Sequence, residues 1–149
     1  MEEYDIETAK RVISLLKNNP RGLDISEISR ELKISRNTAI KVLERLLIEK
    51  RVDYVSKGPA KIFFLLGESK FVGRIDLSDT EKIWIDVIYP LDEKYGEKLI
   101  RLNQTKLDYL SRSSSKFRSV GAILIDKKNI VNIIRLLRDI AKDEFGLEI

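Results

Sequence analysis

Apolar residues return every three or four positions at the start of the chain and every second position later on. Ile6, Ala9, Val12, Ile13 and Leu16 make one apolar face, which predicts a helix over 5–18 ended by Asn18-Asn19-Pro20 and Gly22. Ile25, Ile28, Ser29 and Leu32 predict a short second helix over 26–32, with Ser26 as its N-cap and Glu27 too close to complete a capping box with it. After Lys33-Ile34, a third helix is predicted to start at Ser35, which caps the first turn with Thr38 three residues on. Ala39, Leu43, Leu46 and Leu47 form its buried stripe, and Glu49-Lys50-Arg51 leaves it. The period then changes to two: residues 52–56 and 61–66 read as strands about a Lys57-Gly58-Pro59-Ala60 turn.

In the second half, Gly67-Glu68-Ser69-Lys70 reads as a linker and 71–77 as a strand. Ile83, Ile85, Val87 and Tyr89 alternate with Trp84, Asp86 and Ile88 up to Pro90, a clear period-two run. A polar turn follows at 92–97. Residues 98–112 fit both periods imperfectly, with a strand favoured. The tract 111–119 is polar and basic around Phe117; a nucleic-acid-contacting loop and an ordinary mobile loop describe it equally well. A short strand over 120–125 leads to Asp126, which caps a helix running to about Phe145 with Gly146 at its end. Its stripe is Ile130, Ile133, Ile134, Leu137, Ile140 and Ala141, widened by Val131 and Leu136. A stripe of that width is expected to pack on the sheet and leave surface for a second copy, with Ile130, Ile133, Ile134 and Leu137 at the dimer contact. The expected fold is α+β in two domains, 1–66 and 67–149, the second a small antiparallel sheet with a long C-terminal helix.

Charge locates the chemistry. The net charge of the 149 residues is only +4, but residues 33–61 hold eight basic side chains against three acidic ones, and residues 98–128 hold eight against two. Two basic tracts suit two phosphate-facing surfaces, or the solvated faces of a thermophile protein. Abundant Ile and Lys, with Gln104 as the one glutamine, also fits a thermophilic, archaeal source. The chain has no Cys and no His, which removes disulfides, thiolate chemistry, the commonest general base and the commonest metal ligands. Asp76, Asp79, Glu81 and Asp86 have no His or Lys placed as a catalytic partner and read as turn chemistry. Neither an enzyme nor a cofactor or metal is expected. No apolar run approaches the ~20 residues of a membrane span, and the acidic Met-Glu-Glu-Tyr-Asp start has no signal-peptide core, so the expectation is a cytoplasmic protein.

Arg36, Asn37, Ile40, Lys41, Glu44 and Arg45 fall on the side of the third helix opposite its stripe. The free N–H groups at a helix start favour phosphate, and Arg and Asn there can read guanine and adenine edges. Lys57 and Lys61 flank the hairpin tip. Together with the 25–29 helix, the Ser35-Arg36-Asn37-Thr38 start and the Leu43/Leu46 spacing, these features resemble the winged helix-turn-helix family of archaeal and bacterial transcription regulators over residues 5–66. The resemblance implies a reader of double-stranded DNA, with Arg36, Asn37 and Lys41 on bases and Ser35, Thr38, Arg45, Lys57 and Lys61 on phosphates.

Residues 71–145 are similar, through Lys82-Ile83-Trp84-Ile85-Asp86-Val87 and the 118–124 run, to the single-stranded-DNA-binding domain of the coactivator called positive cofactor four. They depart from it at Ile88 and in an extra segment over about 99–115. This resemblance implies a dimer and single-strand contact by Arg74, Lys82, Trp84, Lys116, Phe117 and Arg118. The expected function is thus a homodimeric DNA-binding regulator or coactivator. The alternatives are a protein–protein adaptor in transcription or replication machinery, and a ligand-sensing repressor with a pocket along the Trp84/Tyr89 strand.

Overall fold

The computed structural model describes residues 6–91, 96–110 and 116–149. It is an α+β chain: three helices, a two-stranded hairpin, a four-stranded antiparallel sheet and a C-terminal helix. Helix α1 (Ile6–Lys17) buries Thr8, Ala9, Val12 and Leu16. Helix α2 (Ile25–Leu32) is capped by Asp24, not Ser26. The Asp24 carboxylate accepts from the Glu27 N–H at 2.8 Å, and the Glu27 carboxylate accepts from the Asp24 N–H at 3.2 Å. Moving the cap back by two residues thus puts Glu27 at the position a capping box needs. Lys33, left-handed at φ 55, ends the helix. Helix α3 (Arg36–Ile48) starts at the Ser35 cap, whose hydroxyl accepts from the Thr38 N–H at 3.0 Å.

Strands β1 (Val52–Lys57) and β2 (Ala60–Leu65) pair through the two-residue Gly58-Pro59 turn. Leu23 adds a one-residue bridge to Phe63, with both backbone bonds at 2.9 Å. Gly22 makes this approach possible: its φ is +93, and a Cβ there would lie 2.6 Å from the Phe63 carbonyl oxygen. Ile28, Val42, Leu43, Leu46, Val52 and Phe63 join the α1 residues in one apolar core.

The sheet is a simple meander of β3 (Glu68–Asp76), β4 (Glu81–Tyr89), β5 (Leu99–Leu107) and β6 (Phe117–Asp126). Residues 68–70, expected as a linker, are already strand. Glu68 pairs with Tyr89, and Gly67 lies against the Tyr89 backbone where a Cβ would collide. The ambiguous 98–112 segment resolves as β5, a strand with partners on both sides. Of the 111–119 tract, 117–119 belong to β6 and 111–115 lie outside the described residues, as do 92–95 of the expected turn. Helix α4 (Lys127–Phe145) has its Asp126 N-cap and its left-handed Gly146 C-cap. It does not pack on the sheet as expected: no α4 residue is buried, and Ile134, Leu136 and Leu137 are 51–62% exposed. No helix among the described residues is long and apolar enough to cross a membrane.

Candidate nucleic-acid interface

The Ser35 cap projects the first turn of α3 away from the core. Ser35, Arg36 and Asn37 are exposed there, while Thr38, Ile40 and Lys41 are half-buried behind them. The Ser35 and Thr38 hydroxyls lie 2.8 Å apart. Arg36 donates to the Ser26 hydroxyl at 2.8 Å, so Ser26 steadies the arginine across the turn instead of capping its own helix. Lys57 and Lys61 are exposed on the hairpin, with the Lys61 ammonium 4.8 Å from the centre of the Tyr54 ring.

Arg45 departs from the expected set. It is buried, at 9% exposure, and donates through Nη2 to the Ser119 carbonyl at 3.2 Å. The helical period explains this: Arg45 stands six residues beyond Ala39 and one before Leu46, on the flank of the stripe that meets the sheet. It ties the two halves together and is out of reach of a phosphate.

The Ser119 contact belongs to a buried polar interface that sequence reasoning missed. Arg101 grips Asp86 with both arms of its guanidinium, at 2.8 and 2.7 Å, and donates from Nη1 to the Glu49 carbonyl at 2.8 Å. Asn103 donates to the Ser119 hydroxyl at 3.0 Å. Asp86, Arg101, Asn103 and Ser119 are all under 9% exposed. Burial raises the Glu49 carboxyl above its ordinary pKa, while Arg51, Arg101, Arg45 and a bond from Ser119 pull it back down. The only signal in the sequence was Asp86 and Arg101 standing at alternating positions of two apolar strands, where a charge must be paired if it faces inward.

The expected single-strand residues divide between the faces of the sheet. Strand register places Arg74 beside Trp84, and Lys82 beside Asp76 and Thr105. Lys82 reaches over β5 to put its ammonium 4.4 Å from the centre of the Phe117 ring. The Arg74 guanidinium lies 5.4 Å from the Trp84 ring and also pairs with Asp76 at 2.8 Å. Phe71, missing from the expected set and 61% exposed, stacks tilted on Trp84 at 6.0 Å. Its signal was a Phe at a strand start next to the basic residues of β3. Trp84 donates from its indole N–H to the Thr105 hydroxyl at 2.9 Å, which fixes the ring in the sheet face. The result is a row of aromatic rings and cations on one face.

Arg118 is not part of that row. It pairs with Lys106 on the opposite face, where its guanidinium lies 3.7 Å from Asp108. Lys116 precedes the strand and its carbonyl accepts from the Asp108 N–H. Trp84 and Tyr89 also face opposite sides, because five residues separate them on one strand. Tyr89 instead lines a shallow cavity of about 690 Å³ with Val87, Ile100, Lys127 and Ile130.

Of the four carboxylates read as turn chemistry, Asp86 proves instead to be a buried residue inside β4. Asp76 goes to Arg74, Glu81 to Lys106 and Asp86 to Arg101, and no group of acidic side chains among the described residues can hold a metal ion. No family model, no curated protein and no solved structure matches this chain, so its residues alone carry a functional assignment.

Proposed function

We propose that this protein is a homodimeric DNA-binding transcription regulator. Its first half acts as a winged helix-turn-helix reader, and its sheet offers a surface to single-stranded DNA. The observation that carries the reading is the first turn of α3, a Ser35-capped helix start with Arg36 and Asn37 exposed, together with the exposed Lys57 and Lys61 that flank the tip of the hairpin. Helix starts of this kind bind phosphate through free N–H groups, and Arg and Asn discriminate bases in the major groove. The Leu23 bridge supports the same reading, since it fastens the hairpin to the helices and makes the wing part of a rigid head.

The dimer rests on α4 and the sheet face remote from α3. That face carries Ile83, Ile85, Val87, Ile100, Leu102 and Ile123, none of them fully buried. A helix with Val131, Ile134, Leu136, Leu137 and Ile140 exposed is too apolar to face water alone. A second copy supplies a matching surface, and two heads on two half-sites multiply affinity.

Gel-shift titration of the full chain on duplex DNA at several salt concentrations tests the assignment. Arg36→Ala is expected to cost about 1–3 kcal/mol on the preferred sequence and to relax choice at one position. Lys57→Ala is expected to weaken binding to every sequence and lower the salt slope by roughly one. If the parent shows no duplex affinity near physiological salt, the assignment fails, and a partner protein recovered by pull-down then favours the adaptor.

A further inference from the structure

One face of the four-stranded sheet carries two surfaces side by side. At Asp86, Arg101, Asn103 and Ser119 it is buried beneath the last turn of α3, held by the bonds to Glu49 and from Arg45. Two residues back along β4, about 7 Å away, Trp84 opens a row in which Phe71 and Arg74 are exposed and Trp84, Lys82 and Phe117 are half-buried. Short links join the two. Trp84 is bonded to Thr105, Thr105 pairs with Ser119, and the Ser119 carbonyl takes the Arg45 guanidinium. Arg45 stands on the helix whose first turn presents Arg36 and Asn37. At 13 residues that helix is about 20 Å long, less than one turn of duplex.

We infer that the preferred ligand is a duplex–single-strand DNA junction. The duplex lies on the start of α3 and the β1–β2 turn, and the unpaired strand runs across the aromatic row. The inference rests on the duplex-reading assignment above and adds the second half of the substrate. Aromatic faces suit unpaired bases, because a base inside a duplex shows its edges and not its ring. Arg74 and Lys82 lie against those rings, where the phosphates of a stacked strand would meet them. Asp76, paired with Arg74, opposes the phosphates and limits affinity for any strand that lacks a second point of attachment. Because the buried interface holds reader and row in one body, a strand whose duplex is already bound meets the row at high effective concentration, and the two contacts multiply.

Fluorescence anisotropy of the full chain with three labelled DNAs tests the inference: a blunt duplex, a single strand, and the same duplex carrying a single-stranded overhang in either polarity. The overhang substrate is expected to bind at least tenfold tighter than the better of the other two. Trp84 is the one tryptophan, so its fluorescence is expected to be quenched by the overhang substrate and left unchanged by the blunt duplex. Phe71→Ala and Lys82→Gln, both changes on the sheet face, are expected to bring overhang affinity down toward that of the duplex. Asp76→Asn is expected to raise it several-fold.

Equal affinity for overhang and blunt duplex, with no quenching, overturns the junction inference and leaves duplex reading in place. Loss of duplex binding in Phe71→Ala and Lys82→Gln to the same degree as overhang binding also overturns it, since the row would then act only through the fold. No binding to any of the three DNAs by the parent removes the duplex assignment and the inference with it.

Discussion

The two halves of this chain solve the burial problem differently. Among the described residues, eleven of the twelve buried apolar side chains lie between Ala9 and Leu65, and only Ile88 lies in the sheet half. The exposed large apolar residues reverse the pattern: three, Ile48, Tyr54 and Val55, are in the first half and seventeen in the second. Five of the seven buried polar residues are on the sheet. The first half closes on itself around α3. The second half buries charge against the first and leaves its own apolar surface open. Scattered exposed apolar residues are ordinary, but a continuous run along one helix and one sheet face marks an interface. The contrast supports the proposal that the closed half reads DNA and the open half assembles.

The two halves differ most at α4, whose apolar residues are exposed. Ile134→Glu combined with Leu137→Glu is expected to abolish the dimer, because each charge would have to enter an apolar interface without a partner. Sedimentation at micromolar concentration should show a shift from twice the 17.3 kDa chain mass to that mass. A parent that is already monomeric removes the assembly role of the second half. Weaker duplex binding should accompany the loss, since one head then holds one half-site.

The polar interface is the next point of failure. Arg101→Ala leaves the Asp86 carboxylate buried without its guanidinium and the Glu49 carbonyl without its donor. Breaking one side of a buried ion pair costs about 3–5 kcal/mol. Exchanging both partners, Arg101→Met with Asp86→Leu, should recover most of that loss in chemical denaturation. If Arg101→Ala unfolds at the same denaturant concentration as the parent, the two halves are not held by this contact. Leu43→Ala, in the apolar core of α3, is expected to cost about 2–5 kcal/mol. Its cost should not depend on protein concentration, whereas that of Leu137→Ala should, and this difference separates a closed core from a shared one.

The same contrast decides how much was legible in the sequence. The α+β class, the three helices, the hairpin and the capped C-terminal helix follow from local signals: the period of Ile6 to Leu16, the Ser35-to-Thr38 cap, the Gly58-Pro59 turn, and Asp126 and Gly146 at the ends of α4. Local rules settle these because each involves residues within one element. What was misread depends on partners far along the chain. Arg45 looks solvent-facing on a helical wheel and is buried only because β6, 74 residues later, lies across that flank. Residues 68–70 look like a linker until Tyr89 pairs with Glu68. Arg118 and Phe117 are neighbours in sequence and therefore on opposite faces, which no composition argument for a basic tract respects. Ser26 suits a cap by residue type, but Asp24 stands three residues before Glu27, and that spacing closes the capping box. The period of α4 marks its apolar stripe, but not that the described residues leave the stripe uncovered.

The smallest expected effect tests whether the polar interface carries a net cost at neutral pH. Glu49 sits where α3 meets the sheet, and burial raises its carboxyl above the ordinary value of 4.5 despite Arg51, Arg101, Arg45 and Ser119. A carboxyl with a raised folded-state pKa binds its proton more tightly folded than unfolded, so ionising it costs folding stability. The cost is absent below about pH 4.5, where the group is protonated in both states. It grows as pH rises through the folded-state value and is complete above it. Glu49→Gln removes the titration and keeps the shape. The stability difference between Glu49→Gln and the parent should therefore shift in favour of the variant as pH rises from below 4.5 to 7, whatever its sign at the acid end. Urea unfolding at a series of pH values measures it. A difference that moves the other way means that the three arginines outweigh burial, and that the interface gains stability from the Glu49 charge instead of tolerating it.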